Sequence, residues 1–182
     1  MRRSLAFILL LTLLIDVTSA ADQSNILNNG GFEYGLMCYT SYIWSQTGLE
    51  GKGDYKFLLS TDAHSGSYSL EIRCTGADCQ KAAIFSNKIT TSPGQSYDLS
   101  MYTKCPAGRY AAVYIPGTAS GDILQGLACN GNWALNQIRF QVRPSATDFF
   151  FSVYNRDVEW LRVDDIVLTY SGGTAPQQTV VH

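Results

Sequence analysis

The chain has 182 residues, with 13 Lys+Arg against 15 Asp+Glu, 46% hydrophobic, 12% aromatic and only 15% charged residues. A folded, faintly acidic protein follows; a disordered tail and a nucleic-acid binder are excluded, because neither a charge excess nor a basic stripe is present. Low charge combined with 16 Gly, 11 Tyr, 8 Phe and 5 Pro argues against a helix-rich protein and for many short strands and turns.

Residues 1–20 read as a cleaved secretory signal. Arg2 and Arg3 form a basic start, Leu5 to Ile15 is almost unbroken apolar sequence, and Thr18-Ser19-Ala20 supplies the small residues that signal peptidase needs. The apolar run is short for a bilayer span of about 20 residues, and no later segment is long enough, so no membrane partner is expected. Cleavage after Ala20 removes two arginines and one aspartate. It leaves 162 of the 182 residues and moves the net charge from −2 to −3. That length supports one domain, residues 21–170, with an adequate core of its own.

Short apolar or alternating runs then recur between turn signals: Tyr39 to Trp44, Tyr55 to Leu59, Tyr68 to Arg73, Ala82 to Ile89, Tyr97 to Lys104, Arg109 to Ile115, Ile123 to Ala128, Leu135 to Val142, Thr147 to Tyr154 and Trp160 to Thr169. Ser65-Gly66, Ser92-Pro93-Gly94, Pro106-Ala107-Gly108, Pro116-Gly117 and Asn130-Gly131-Asn132 punctuate them. Regular strand spacing without any long period-3.6 segment indicates an all-β protein, a jelly-roll β-sandwich of two antiparallel sheets. Residues 171–182 are small and polar, and read as a flexible tail or as the junction to a catalytic domain in a longer parent chain.

Alternation assigns faces within the strands. Leu99 and Met101 should enter the core and Tyr102 leave it; Ile138, Phe140 and Val142 alternate with Gln137, Arg139 and Gln141; Phe149, Phe151 and Val153 alternate with Phe150, Ser152 and Tyr154. The outward residues suggest one non-core face that joins Tyr102, Tyr110, Tyr114, Phe150 and Tyr154 to Gln137, Arg139 and Gln141. Aromatic rings pack against the C–H faces of pyranoses while amides and Arg pair hydroxyls, so Tyr102, Tyr110, Tyr114, Arg139, Gln141 and Tyr154 are the candidate glycan ligands. Each tyrosine is equally suited to a half-buried pleated surface with no ligand. Trp44 and Trp133 are expected in the core.

All five cysteines lie beyond the signal, where oxidation is allowed, and there is no pair of C-x-x-C knuckles to suggest zinc. Cys74 and Cys79 bracket the turn-like Thr75-Gly76-Ala77-Asp78, which makes a hairpin bridge the first choice. Cys105 with Cys129 is the second, leaving Cys38 unpaired; other pairings remain open.

Three segments, in order, carry a resemblance: Asn25-Ile-Leu-Asn-Asn-Gly-Gly-Phe-Glu33, Ala63-His-Ser-Gly-Ser-Tyr-Ser-Leu70 and Trp160-Leu-Arg-Val-Asp-Asp-Ile-Val-Leu168. Together, over about residues 25 to 170, they resemble the carbohydrate-binding modules of families 4, 9 and 22, with a galactose-binding-like jelly-roll fold. The resemblance implies a secreted, non-catalytic module with a polysaccharide or glycan partner. It also implies a structural Ca²⁺ held by Glu33 and Asp165, with Asp164 as the alternative, and by turn carbonyls near Ser65. The chemistry is apt, because Ca²⁺ takes 6–8 hard oxygens; the plain alternative is that these carboxylates only hydrogen-bond turns. Where several family members carry a stacking Trp after the second segment, this chain has Cys74-Thr-Gly-Ala-Asp-Cys-Gln-Lys81, with Trp160 beside Glu159 and Asp157 as a replacement platform.

Two other functions compete. A glycosidase needs two carboxyl groups about 5 to 9.5 Å apart, and Glu33, Glu71, Glu159, Asp164 and Asp165 are available, but none lies in a signature segment; His64 has no Gly-x-Ser-x-Gly partner. A secreted protein-interaction or adhesion module is the other, since one fold hosts many functions.

Overall fold

The computed structural model describes residues 25–35, 39–43, 55–74, 82–155 and 158–171. The signal segment, Trp44, Asp157, Cys38 and residues 172–182 of the expected tail lie outside them. The described residues form twelve strands: β1 (Tyr39–Ile43), β2 (Tyr55–Ser60), β3 (Ser69–Cys74), β4 (Ala82–Ser86), β5 (Ile89–Thr90), β6 (Ser96–Lys104), β7 (Ala111–Thr118), β8 (Gly121–Leu127), β9 (Ala134–Gln141), β10 (Asp148–Phe149), β11 (Ser152–Asn155) and β12 (Trp160–Tyr170). They form one five-stranded sheet in the order β1-β4-β11-β7-β8, a second in the order β2-β3-β12-β6-β9, and a two-stranded ribbon of β5 with β10. Every strand pairing is antiparallel. The chain is the jelly-roll β-sandwich that the strand spacing predicts.

Two runs expected as single strands are each split. Ala82 to Ile89 becomes β4 and β5, and Thr147 to Tyr154 becomes β10 and β11. The two breaks face each other: Ile89 and Thr90 leave the first sheet and pair with Phe149 and Asp148. Ser86 marks the corner, its N–H donating to the Phe151 carbonyl and its hydroxyl accepting from the Phe151 N–H.

The core fills the space between the sheets with the inward alternating set. Leu99, Met101, Ile138, Phe140, Val113, Ile115, Phe151, Val153, Leu161, Val163 and Leu168 belong to it. The buried Tyr97 ring contacts Phe140, Phe149 and Tyr170, and its hydroxyl donates to Thr91 Oγ1 at 2.7 Å. Trp133 corrects its expectation. It lies on the outer side of the second sheet, where its Nε1–H donates to Asp62 at 3.3 Å, because an indole donor at this position has a carboxylate to reach outside and none within.

Cys105 and Cys129 form a disulfide. Cys74 is also disulfide-bonded, and its expected partner Cys79 lies outside the described residues. The Cys105–Cys129 bridge spans 24 residues between the end of β6 and the start of β9. The loop-entropy estimate gives about 3 kcal/mol of stabilisation for such a loop. The Cys105→Ala/Cys129→Ala double variant is therefore expected to show a urea midpoint lowered in proportion; a loss below about 1 kcal/mol would show that the bridge does not constrain the unfolded chain.

Candidate functional site

Two regions carry chemistry. The first is the outer face of the β1-β4-β11-β7-β8 sheet. Register sets two cross-strand rows there: Phe85, Ser152, Tyr114 and Leu124 in one, Ala83, Tyr154, Ala112 and Gly126 in the other. Val113, Val153 and Ile84, one residue away on each strand, belong to the core, so by alternation both rows point outward. Tyr114 and Tyr154 meet edge to face, with centroids 6.2 Å apart and planes at 73°; Phe85 and Phe150 lie 5.8 Å apart at 54°. The Tyr110 ring lies over Gly126, where an added Cβ would be 3.3 Å from the ring. Leu124 is 56% exposed beside Tyr114.

Asp122 fixes one end of this face. Its Oδ2 accepts from the Tyr114 hydroxyl at 2.7 Å and its Oδ1 from the Gly117 N–H at 2.8 Å. The Gly117 bond, and then that of Tyr114, hold the Asp122 carboxyl below its usual range. The same bond to Asp122, helped by burial, pushes the Tyr114 hydroxyl up to about 12, so it remains a hydrogen-bond donor at any physiological pH. Burial also raises Tyr154.

The single aromatic-and-amide face expected from the sequence does not exist. Tyr114 and Tyr154 lie in the first sheet, with Tyr110 over Gly126 and Phe150 against Phe85 beside it, whereas Tyr102, Gln137, Arg139 and Gln141 point outward from the second. Alternation separates inward from outward on each strand but does not say to which of two sheets an outward residue belongs. The residues on the second sheet are also already engaged. His64 stacks on Tyr102 at 3.4 Å and 11°. Arg139 donates to both oxygens of Asp98, at 2.7 and 3.0 Å, and Gln141 Nε2 donates to the Gly94 carbonyl at 2.8 Å. A hollow of about 540 Å³ lies here, lined by Ser100, Gln137, Thr169 and the Asp98–Arg139 pair, with no aromatic wall. Phe85, Leu124 and Asp122 were missed by sequence reading; the outward position of Phe85 beside the core residue Ile84 was the available signal.

The rest of the second sheet's outer side is an ion-pair network. Glu71, 1% exposed, takes hydrogen bonds from Arg73 and, at 2.8 Å, from Arg162. Asp62 takes them from Lys104 at 2.9 Å, from Arg162 and from Trp133; the Lys104 bond is the largest influence holding its carboxyl low. The Arg162 guanidinium lies 4.6 Å from the Trp160 ring centroid, so this tryptophan carries a cation and sits on the sheet opposite the aromatic face.

The second region is a carboxylate corner. A bulge in β12 between Asp164 and Val167, with Asp165 at φ 47°, leaves Asp164 paired with Tyr102 and displaces Asp165 and Ile166 from the regular ladder. The opening segment docks beside it through Ile26 N–H to the Leu168 carbonyl and Ile166 N–H to the Gly30 carbonyl. Asp164 is fully buried and accepts from the N–H groups of His64, Ser65 and Asp165. Asp165 accepts from His64 Nδ1 at 2.7 Å and Ser65 Oγ at 2.6 Å. Glu33 Oε1 accepts from the Ser67 and Tyr68 N–H groups, and its carboxylate occupies the space a Gly66 side chain would need. Burial pushes Asp164 up, and the adjacent Asp165 charge adds to it.

Ser65 thus bonds both aspartates, and Glu33 bonds the same turn two to three residues further on, at Ser67 and Tyr68. No Lys or Arg among the described residues pairs with the three carboxylates, and His64 is the ring nitrogen donor at Asp165. Among the described residues no three acidic, histidine or cysteine side chains form a ready metal group, so backbone carbonyls would have to complete the shell.

No protein-family model and no curated protein matches the chain. Solved structures do. A family 61 carbohydrate-binding module, solved with β-1,4-galactotriose, superposes with a TM-score of 0.57 at 19% identity, covering 81% of this chain and 99% of its own. A C-terminal family 22 module of Clostridium thermocellum gives 0.54 at 17% identity, covering 81% and 94%. The chain has the fold of these modules. The enzymatically active part of a bacteriophage CBA120 tailspike protein also matches, with a TM-score of 0.63 at 16% identity over 80% of this chain, which spans only 21% of that one.

Proposed function

We propose that the chain is a secreted, non-catalytic module that binds a polysaccharide through the outer face of the β1-β4-β11-β7-β8 sheet. The observation that carries this reading is the gathering of Tyr114, Tyr154 and Phe85 on the outer face of one sheet, with Tyr110 and Phe150 packed beside them. The galactotriose complex of a structural neighbour supports it, and the Cys105–Cys129 disulfide supports export. Of the carboxylates that glycosidase chemistry could use, Glu33, Glu71, Asp164 and Asp165 take hydrogen bonds from backbone, hydroxyl, imidazole or arginine donors, which favours binding over catalysis, and Glu159 is exposed just before β12.

Affinity electrophoresis of the oxidised mature chain through xylan, β-glucan, mannan, galactan or chitin-derivative gels tests the reading. Retardation by one polymer is the expected result; free migration through all of them rejects it. A protein partner is the second reading. One feature favours it: the exposed Leu124 lies in this face, and the amides expected there sit on the other sheet.

The proposal includes a structural Ca²⁺ held by Glu33 and Asp165, with Asp164 and carbonyls near Ser65. Bound there, the ion would neutralise the corner and tie the opening segment to β12. At about 100-fold excess over its Kd, a ligand of the native state adds about 2.7 kcal/mol. EDTA should then lower the melting temperature by roughly 5–10 °C, and Glu33→Ala should abolish that sensitivity. A melting curve unmoved by chelation would remove calcium from the proposal.

A further inference from the structure

At the Asp122 end, the aromatic face runs into a hollow of about 320 Å³ lined by Pro116, Gly117, Arg143, Ser145, Asp148 and Phe150 among others. Phe150 is shared: it faces Phe85 on the aromatic side and walls the hollow on the other. Pro116 is the next outward position of β7 after Tyr114. The two surfaces are therefore continuous.

The charges in and around this hollow are unequally committed. Asp122 has both oxygens occupied by Tyr114 and Gly117. Asp148 pairs with Lys88 at 3.3 Å. Arg143 is exposed, and its guanidinium makes no side-chain hydrogen bond or ion pair with any described residue. It lies over Gly117, filling the space where a Cβ would sit 2.6 Å from its terminal nitrogen. Gly117 holds φ 70°. The left-handed glycine thus serves two ends: it makes the turn, and it lets the guanidinium rest against the backbone at the mouth of the hollow. Arg139, which alternation nominated for ligand binding, is held in both directions by Asp98. Arg143 has the same planar fork and, among the described residues, no carboxylate paired with it.

We propose that this hollow is a subsite for a carboxylate-bearing sugar, a uronic acid unit of the bound chain, with Phe150 against the ring and Arg143 paired with the carboxylate. This rests on the polysaccharide reading of the aromatic face. A guanidinium accepts a carboxylate through two parallel N–H···O bonds, a match that neutral hydroxyls cannot reproduce. Asp122 is close enough to feel the Arg143 charge but forms no ion pair with it, and each of its oxygens already accepts one bond, from Tyr114 or from Gly117.

The test is affinity electrophoresis of the oxidised mature chain in glucuronoxylan and in polygalacturonate, each beside the same polymer after carboxyl reduction, with wild type, Arg143→Gln and Arg143→Lys. Wild type should bind a uronate polymer roughly tenfold more tightly than its reduced form, the size of one charge-assisted bond pair. Arg143→Gln should erase the preference while leaving the weaker binding of the reduced polymer, and Arg143→Lys should keep only part of it. Equal binding of both forms, or a preference that survives Arg143→Gln, overturns the subsite and leaves the polysaccharide reading standing. Free migration of wild type through these polymers and the neutral panel overturns both.

Discussion

Arg162→Ala is expected to destabilise the domain by about 3 kcal/mol, because it strands the Glu71 carboxylate with Arg73 alone. The Glu71 side chain is 2% exposed and that of Arg162 is 18%, whereas Arg73 is half exposed and holds its end loosely. The same guanidinium also bonds Asp62 and covers Trp160, so one truncation removes the centre of the network. At 2–4 °C per kcal/mol for a domain of this size, the melting temperature should fall by about 6–12 °C. Replacing both partners, Glu71→Leu with Arg162→Leu, should recover most of the loss, since the penalty belongs to the unpaired buried charge and not to the missing pair. A shift of less than about 2 °C for Arg162→Ala would mean that water reaches Glu71 and that the network is ornamental to stability.

The second large effect concerns binding. Tyr154→Ala and Tyr114→Ala should each weaken polysaccharide retention about tenfold, the equivalent of about 1.4 kcal/mol for one lost aromatic platform. Tyr114→Phe separates the ring from its hydroxyl. It keeps the platform but releases Asp122, and should show a smaller loss. Tyr102→Ala, Arg139→Ala and Gln141→Ala are the controls, because these side chains lie on the opposite sheet and are engaged by His64, Asp98 and Gly94. Unchanged melting curves for the tyrosine variants keep the comparison one of binding. If the controls lose retention and the Tyr114 and Tyr154 variants do not, the ligand sits on the second sheet.

Much of the fold was legible in the residues because a strand's alternation is a local property. Leu99 and Met101 go inward and Tyr102 outward for the reason that successive side chains point to opposite faces, and burial of β6 alternates along its whole length. The turn glycines and the Cys105–Cys129 spacing were similarly readable. The splits at Asn87–Lys88 and Phe150–Phe151 were not, since both runs look continuous and only their mutual pairing bends them into a ribbon.

The candidate site divides along the same line. By itself the sequence determined that the chain is an all-β sandwich and, on strands with clear alternation such as β6 and β9, which residues leave the core. Only the tertiary structure decided that Tyr114 and Tyr154 share a sheet with Phe85, that Tyr102, Arg139 and Gln141 lie across the sandwich from them, and that Arg143 stands beside Phe150 with no ion-pair partner among the described residues. The reason is physical: alternation is set by bonds within one strand, whereas membership of a sheet and the partner of a charge are set by contacts between residues 30 to 100 apart in sequence, such as Asp98 with Arg139, |i−j| 41, and Ser65 with Asp165, |i−j| 100.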